Sequence, residues 1–152
     1  MHTELYQDLT QEQQAPVAFS SQSVSRFTPI EIRQTISQLV AEDRLDLAHA
    51  LCEAGLAIHP DSEDVLAIAG LLAMLREDFS DAAGILNHLL VVQGESAPIT
   101  SHVMFIRALR CASEPVAALR ALMLAHEQYP NHPELQTEFD QLSQKLGIRA
   151  AD

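Results

Sequence analysis

The stretch EDVLAIAGLLAMLREDFSDAAGILNHLL, residues 63–90, decides the fold. In its first half Leu66, Ala69, Gly70 and Ala73 recur at helical spacing, and in its second half Ala82, Ile85, Leu86 and Leu89 do the same. Between them lies a short polar break, Arg76-Glu77-Asp78-Phe79-Ser80-Asp81, so two helices fold back on one another. Small residues at Gly70, Ala73 and Ala82 let the two backbones approach closely, and Phe79 is placed to plug the end of the pair. Such a hairpin cannot bury its apolar faces alone and needs neighbours on both sides.

Outward from this stretch the same pattern repeats. Ala48, Ala82 and Ala118 lie 34 and 36 residues apart, and Cys52, Leu86 and Leu122 keep the same steps. So do Ile36, Gly70 and Ile106, and then Leu45, Phe79 and Pro115. Pro60 and Pro130 close the first and third units, Gly94 stands at the matching point of the second, and the two extra residues fall in the loop Ser96-Ala97-Pro98. A helix–turn–helix repeat of about 34 residues is the signature of the tetratricopeptide repeat, and the chain resembles that family from Pro29 to about Gly147. The third unit departs from the pattern. Pro115 replaces the usual turn aromatic, and His102 stands where an aromatic is common.

The resemblance implies an all-α fold, an α-α superhelix of three TPR helical hairpins closed by a C-terminal capping helix. The expected boundaries are a polar leader over 1–27, units over 29–62, 63–98 and 99–132, the capping helix over 133–147 and a tail over 148–152. Within the leader, residues 2–14 can form one short helix with Leu5, Tyr6 and Leu9 on one face. Ala15-Pro16 ends it, and residues 20–25 read as linker.

Local signals agree with these boundaries. Thr28-Pro29-Ile30-Glu31 is a helix start with a capping residue, a first-turn proline and an acidic third position. Ile32, Ile36 and Leu39 then point inward, and Ala48, Leu51, Cys52 and Gly55 do so in the next helix. Asp61-Ser62 opens the third helix, and Ser80 is expected to cap the fourth. Pro115 opens another helix. Asn131, Pro133 and Glu134 open the last one, whose stripe is Leu135, Phe139, Leu142 and Leu146. Gly147 supplies its stop.

Bulk properties narrow the function. Apolar residues make up 47 % of the 152, which suits a packed domain, while aromatics are 5 % and Trp is absent, so the core is built from Ala, Leu and Ile. The formal charge is −12, with Lys145 the single lysine. Nucleic acid and anionic membrane are therefore poor partners, because phosphate binding needs clustered Lys and Arg. The run from Val65 to Leu75 is too short to span a bilayer, and no basic-then-apolar leader marks a signal peptide. Cys52 and Cys111 have no paired spacing and read as reduced thiols, with Cys52 a small core hydrophobe. The seven histidines form no ligand-spaced set, and no phosphate-binding loop or nucleophile elbow is present. No catalytic, cofactor or metal site is expected, and the chain is not read as an enzyme.

What remains is surface. By resemblance, the first helix of each unit lines a concave groove. The first unit presents Ile30, Arg33, Ser37 and Val40, and the second Asp64, Ala67, Leu71 and Leu75 with Met74 nearby. The third presents Thr100, Val103, Arg107 and Arg110. The middle is apolar and the ends carry arginines, so an extended protein segment with apolar anchors and an acidic residue is the expected partner. Packing of Leu71 and Leu75 on the leader or on a second copy, as a homodimer through the leader, is the alternative. Heat-shock chaperone tails are gripped in this family by a two-carboxylate clamp. Its positions here hold Arg33, Ser37, Ile68, Thr100 and Met104, which disfavours that use. The plan of leader, three repeats and cap looks like that of bacterial type III secretion chaperones, cytoplasmic proteins that hold an export substrate. A structural adaptor in a multiprotein assembly is the other reading.

Overall fold

The computed structural model describes residues 21–147. Among them are seven helices of 13 to 15 residues, one helical turn before the first and one 3-10 turn. No described residue is in a strand. The chain divides into two compact units between Leu72 and Ala73.

The first unit holds α1 (Ser21–Val24), α2 (Pro29–Ala41), α3 (Leu45–Ile58) and the part of α4 (Glu63–Leu75) up to Leu72. Thr28 starts α2 as its residue types require. Its Oγ1 accepts from the Glu31 N–H at 3.2 Å, its hydroxyl donates to Glu31 Oε1 at 3.1 Å, and Pro29 takes the first turn. Ile32, Ile36, Leu39, Ala48 and Leu51 are fully buried where α2 packs on α3. Gly55 permits this approach, since a Cβ there would meet Ile32 Cγ2 at 3.2 Å and Val65 Cγ1 at 3.4 Å. Cys52 is buried in the same core.

The linker expected over 20–25 is corrected here. Residues 21–24 form α1, which packs on α3, and Val24 and Phe27 are buried. The Phe27 N–H donates to the Val24 carbonyl at 3.0 Å. Two apolar side chains three residues apart dock this turn, although the average polarity around them reads as linker. The helix expected over 2–14 lies outside the described residues.

The second unit holds the end of α4, α5 (Phe79–Gln93), the 3-10 turn Gly94–Ser96, α6 (Ile99–Cys111), α7 (Pro115–Gln128) and α8 (Pro133–Leu146). Ala82, Leu86, Ile106, Ala118 and Ala125 are fully buried. α6 packs against both α5 and α7, and α8 packs against α7 and α6. The loop at 94–98 is tied to the end of α7. Tyr129 Oη donates to the Ala97 carbonyl at 2.6 Å, and Gln128 Nε2 donates to the Glu95 carbonyl. The His102 and Tyr129 rings meet edge to face, with centroids 5.9 Å apart, so the histidine fills the role of the missing aromatic.

The repeat is written most plainly in its tight turns. Asp43, Glu77 and Ser113, spaced 34 and 36 residues apart, each adopt a left-handed φ of 57° to 62°. Each turn closes with one backbone bond of the same form: Arg44 N–H to Leu39 O at 2.8 Å, Asp78 to Ala73 at 2.9 Å and Glu114 to Leu109 at 2.9 Å. These bonds fix where the following helix begins. α5 accordingly starts at Phe79 with Asp78 at its cap and no side-chain cap bond, which places Ser80 inside the first turn instead of at the cap.

α8 ends the series. His132 Nδ1 accepts from the Glu134 N–H at 3.2 Å, and Gly147 turns left-handed at φ 68°. At the position where the repeats carry Ile36, Gly70 and Ile106, α8 carries exposed Asp140. A further helix laid there would bury a carboxylate.

Candidate functional site: exposed faces of the first helices

The residues expected to line a binding surface come from α2, α4 and α6. In α2, Arg33 and Ser37 are exposed and Val40 is half-buried. Arg33 is not free: its Nη1 lies 2.9 Å from Asp64 Oδ1, an ion pair from α2 to α4. In α4, Ala67 and Met74 are half-buried, while Leu71 is 43 % and Leu75 51 % exposed. Four residues apart, these two leucines project from one side of one helix. Their neighbours Val65, Ile68, Ala69 and Leu72 are buried, so the helix has a packed side and an apolar side left open.

α6 differs from expectation. Val103 retains only 3 % of its surface and belongs to the core of the second unit, which removes it from any binding surface. A short helix packed against three others has little perimeter left, and the 3.6 period puts residue 103 beside buried Ile106. Arg107 and Arg110 do stand on the accessible side, but both are engaged by Glu138 of α8. Arg107 Nε and Nη2 each lie 3.0 Å from Glu138 Oε1, and Arg110 Nε lies 3.2 Å from Oε2. The Glu138 side chain is 2 % exposed, against 48 % for Arg107 and 20 % for Arg110. Lys145 Nζ donates to the Arg110 carbonyl at 2.8 Å, meeting the partial negative charge at the end of α6. Sequence reading missed Glu138 because its own helix is polar nearly throughout. The available signal was a carboxylate between Leu135 and Leu142 on the inward stripe.

A second apolar surface lies between α7 and α8 in the same unit. A cavity of about 460 Å³ has buried Leu122 and Leu135 at its base and exposed Met123 and Phe139 at its edge. Phe139, expected on the inward stripe of the last helix, stands at this opening with 38 % of its surface exposed.

Among the described residues no group of three His, Cys, Asp or Glu is arranged to hold a metal ion, and no helix is long and apolar enough to cross a membrane. Cys52 is buried and Cys111 half-buried.

Comparison with solved structures places the architecture. YrrB, described as a TPR protein with an unusual peptide-binding site, superposes with a TM-score of 0.65 at 19 % identity over 80 % of this chain. The fold is that of the tetratricopeptide repeat proteins. MamA matches with a TM-score of 0.70 at 16 % identity, covering 81 % of this chain and 70 % of its own. The first TPR of Spaghetti (RPAP3), bound to the HSP90 peptide SRMEEVD, matches with a TM-score of 0.67 at 14 % identity, covering 78 % of this chain and 93 % of its own. The chain spans about three fifths of YrrB, 61 %. Neither a family profile nor a curated sequence matches it.

Proposed function

We propose that this chain is a protein-interaction module of three TPR hairpins and a capping helix, and that it holds an extended segment of a protein client. The observation that carries this reading is the open apolar side of α4, where Leu71 and Leu75 stand exposed four residues apart above a packed core. Isolated surface leucines are ordinary, but a pair at helical spacing on a helix whose other side is buried offers adjacent anchor points. The chain's charge of −12 disfavours nucleic acid and anionic lipid as alternatives. Peptide binding by YrrB and by the RPAP3 domain adds weight by analogy of fold.

The specific role we propose is that of a bacterial cytoplasmic chaperone that keeps a type III secretion substrate from aggregating until export. It is supported by the succession of helical repeats in a strongly acidic chain. A chaperone releases its client, whereas an adaptor stays in the final assembly.

The test is the double change Leu71→Glu and Leu75→Glu in the full chain, followed by co-purification from the native cell, thermal melting and solution mass. An anchor pair at the centre of an interface typically carries about 2 kcal/mol or more of the binding energy. The variant is therefore expected to lose its client while melting like the parent. Lower stability or a smaller mass, with the client still bound, would mean that the leader or a second copy covers these leucines instead.

A further inference from the structure

We propose that Arg107 and Arg110, held in place by Glu138, form a receptor for one carboxylate side chain of the client. This inference rests on the client-holding reading above and names the polar part of the partner. Glu138 is almost wholly removed from solvent and has both oxygens engaged, Oε1 by Arg107 and Oε2 by Arg110. It is spent on orienting the two guanidinium groups. The arginines are not spent in return. Arg110 gives Glu138 only its Nε, so the fork of its two terminal nitrogens is not used by the carboxylate. Arg107 gives Nε and Nη2 and keeps Nη1.

The charges do not balance. Two guanidinium cations share one carboxylate, and among the described residues no second carboxylate pairs with either of them. Lys145 does not relieve the excess, since it is itself a cation and sits on the α6 carbonyl end. One positive charge is left over, half-shielded from water, in a chain that is otherwise strongly acidic. A single aspartate or glutamate completes a network of two cations and two anions. A phosphate dianion would overshoot it. The forks are fixed in advance by a buried partner, so little side-chain freedom is lost when a planar carboxylate docks on them. Because Arg110 is four-fifths covered, this pairing is less screened than an exposed ion pair.

The experiment is a titration of the isotope-labelled full chain, followed by backbone amide shifts. The probes are three blocked heptapeptides that alternate leucine with serine and carry a central aspartate, asparagine or phosphoserine. The aspartate peptide is expected to bind about fivefold tighter than the asparagine one, with the advantage lost near about 0.5 M salt. Shifts should centre on α6 and α8. Arg107→Gln keeps a donor for Glu138 and should remove most of the advantage with the helical signal unchanged; Arg110→Gln serves if the first variant unfolds. Equal binding of the aspartate and asparagine peptides, with shifts around Leu75, would overturn the receptor and leave the client surface standing. Tighter binding of the phosphoserine peptide would overturn the choice of a carboxylate. Binding of none of the three would remove both the client surface and the receptor.

Discussion

Gly84 lies in the interior of α5 on its exposed side, and a Cβ added there would meet nothing within 4 Å. Nothing in the fold requires a glycine at this point, so it carries only the conformational cost of glycine in a helix. Gly84→Ala is expected to raise stability by about 0.5–1 kcal/mol, read as a higher urea midpoint with an unchanged slope. His102 offers a pH test at the same scale. Its Nε2 is buried without a partner. Burial pushes its pKa below the ordinary 6.5, against a smaller upward pull from the nearby Gln128 side chain. A folded-state pKa below the unfolded value means that the unfolded chain takes up the proton first. The contribution of neutral His102 is therefore complete above pH 6.5 and is lost as pH falls through the lower folded value. Urea melts from about pH 7.5 to about pH 5 should show stability falling, and the fall should be smaller in His102→Gln, where nothing titrates.

At the scale of the element, α5 is held by small residues. Ala82 is fully buried in its first turn, and Ala83 is nearly so. Leucine at such a point has no room without displacing a neighbouring helix. Ala82→Leu should cost roughly 1–3 kcal/mol in denaturant melts. An unchanged midpoint would show that the small-residue contact has been placed in the wrong register. The left-handed turns at Asp43, Glu77 and Ser113 carry a related lesson. Non-glycine residues hold this strained conformation at three equivalent places because each turn is locked by the same backbone bond and by the packing of the helices it joins.

For the molecule as a whole, the comparison with an HSP90-bound relative in structure suggests a direct experiment. The RPAP3 domain is seen with the peptide SRMEEVD, which ends in several carboxylates. The positions to which the family resemblance assigns a clamp hold Ser37, Thr100 and Met104, with Ile68 buried and Arg33 already paired to Asp64. One arginine engaged by an aspartate cannot grip two carboxylates. Calorimetry with SRMEEVD at micromolar concentrations is expected to show no saturable heat. A clear isotherm would mean that the arginine pair on α6 reaches further than a single-carboxylate receptor.

The seven long helices, the positions of their turns and most of the core were legible in the chain alone. Period and small-residue placement are local properties, and a repeat states them several times over, so Ile36, Ala48, Ala82 and Ala118 could be assigned inward from spacing alone. The stop at Gly147 and the start at Thr28–Pro29 were legible for the same reason, being contacts within a few residues. The candidate surface was legible only in part. Leu71 and Leu75 stand open as their helical position implies, but Val103 is covered because α6 has packed helices on several sides. That Glu138 is the partner of Arg107 and Arg110, that the turn ending at Val24 packs on α3 and that Phe27 is buried emerge only once the chain is folded. The physical reason is sequence distance. An ion pair between residues 107 and 138 leaves no periodic trace. A charge buried on a polar helix looks like any other surface residue until the helix that covers it is in place.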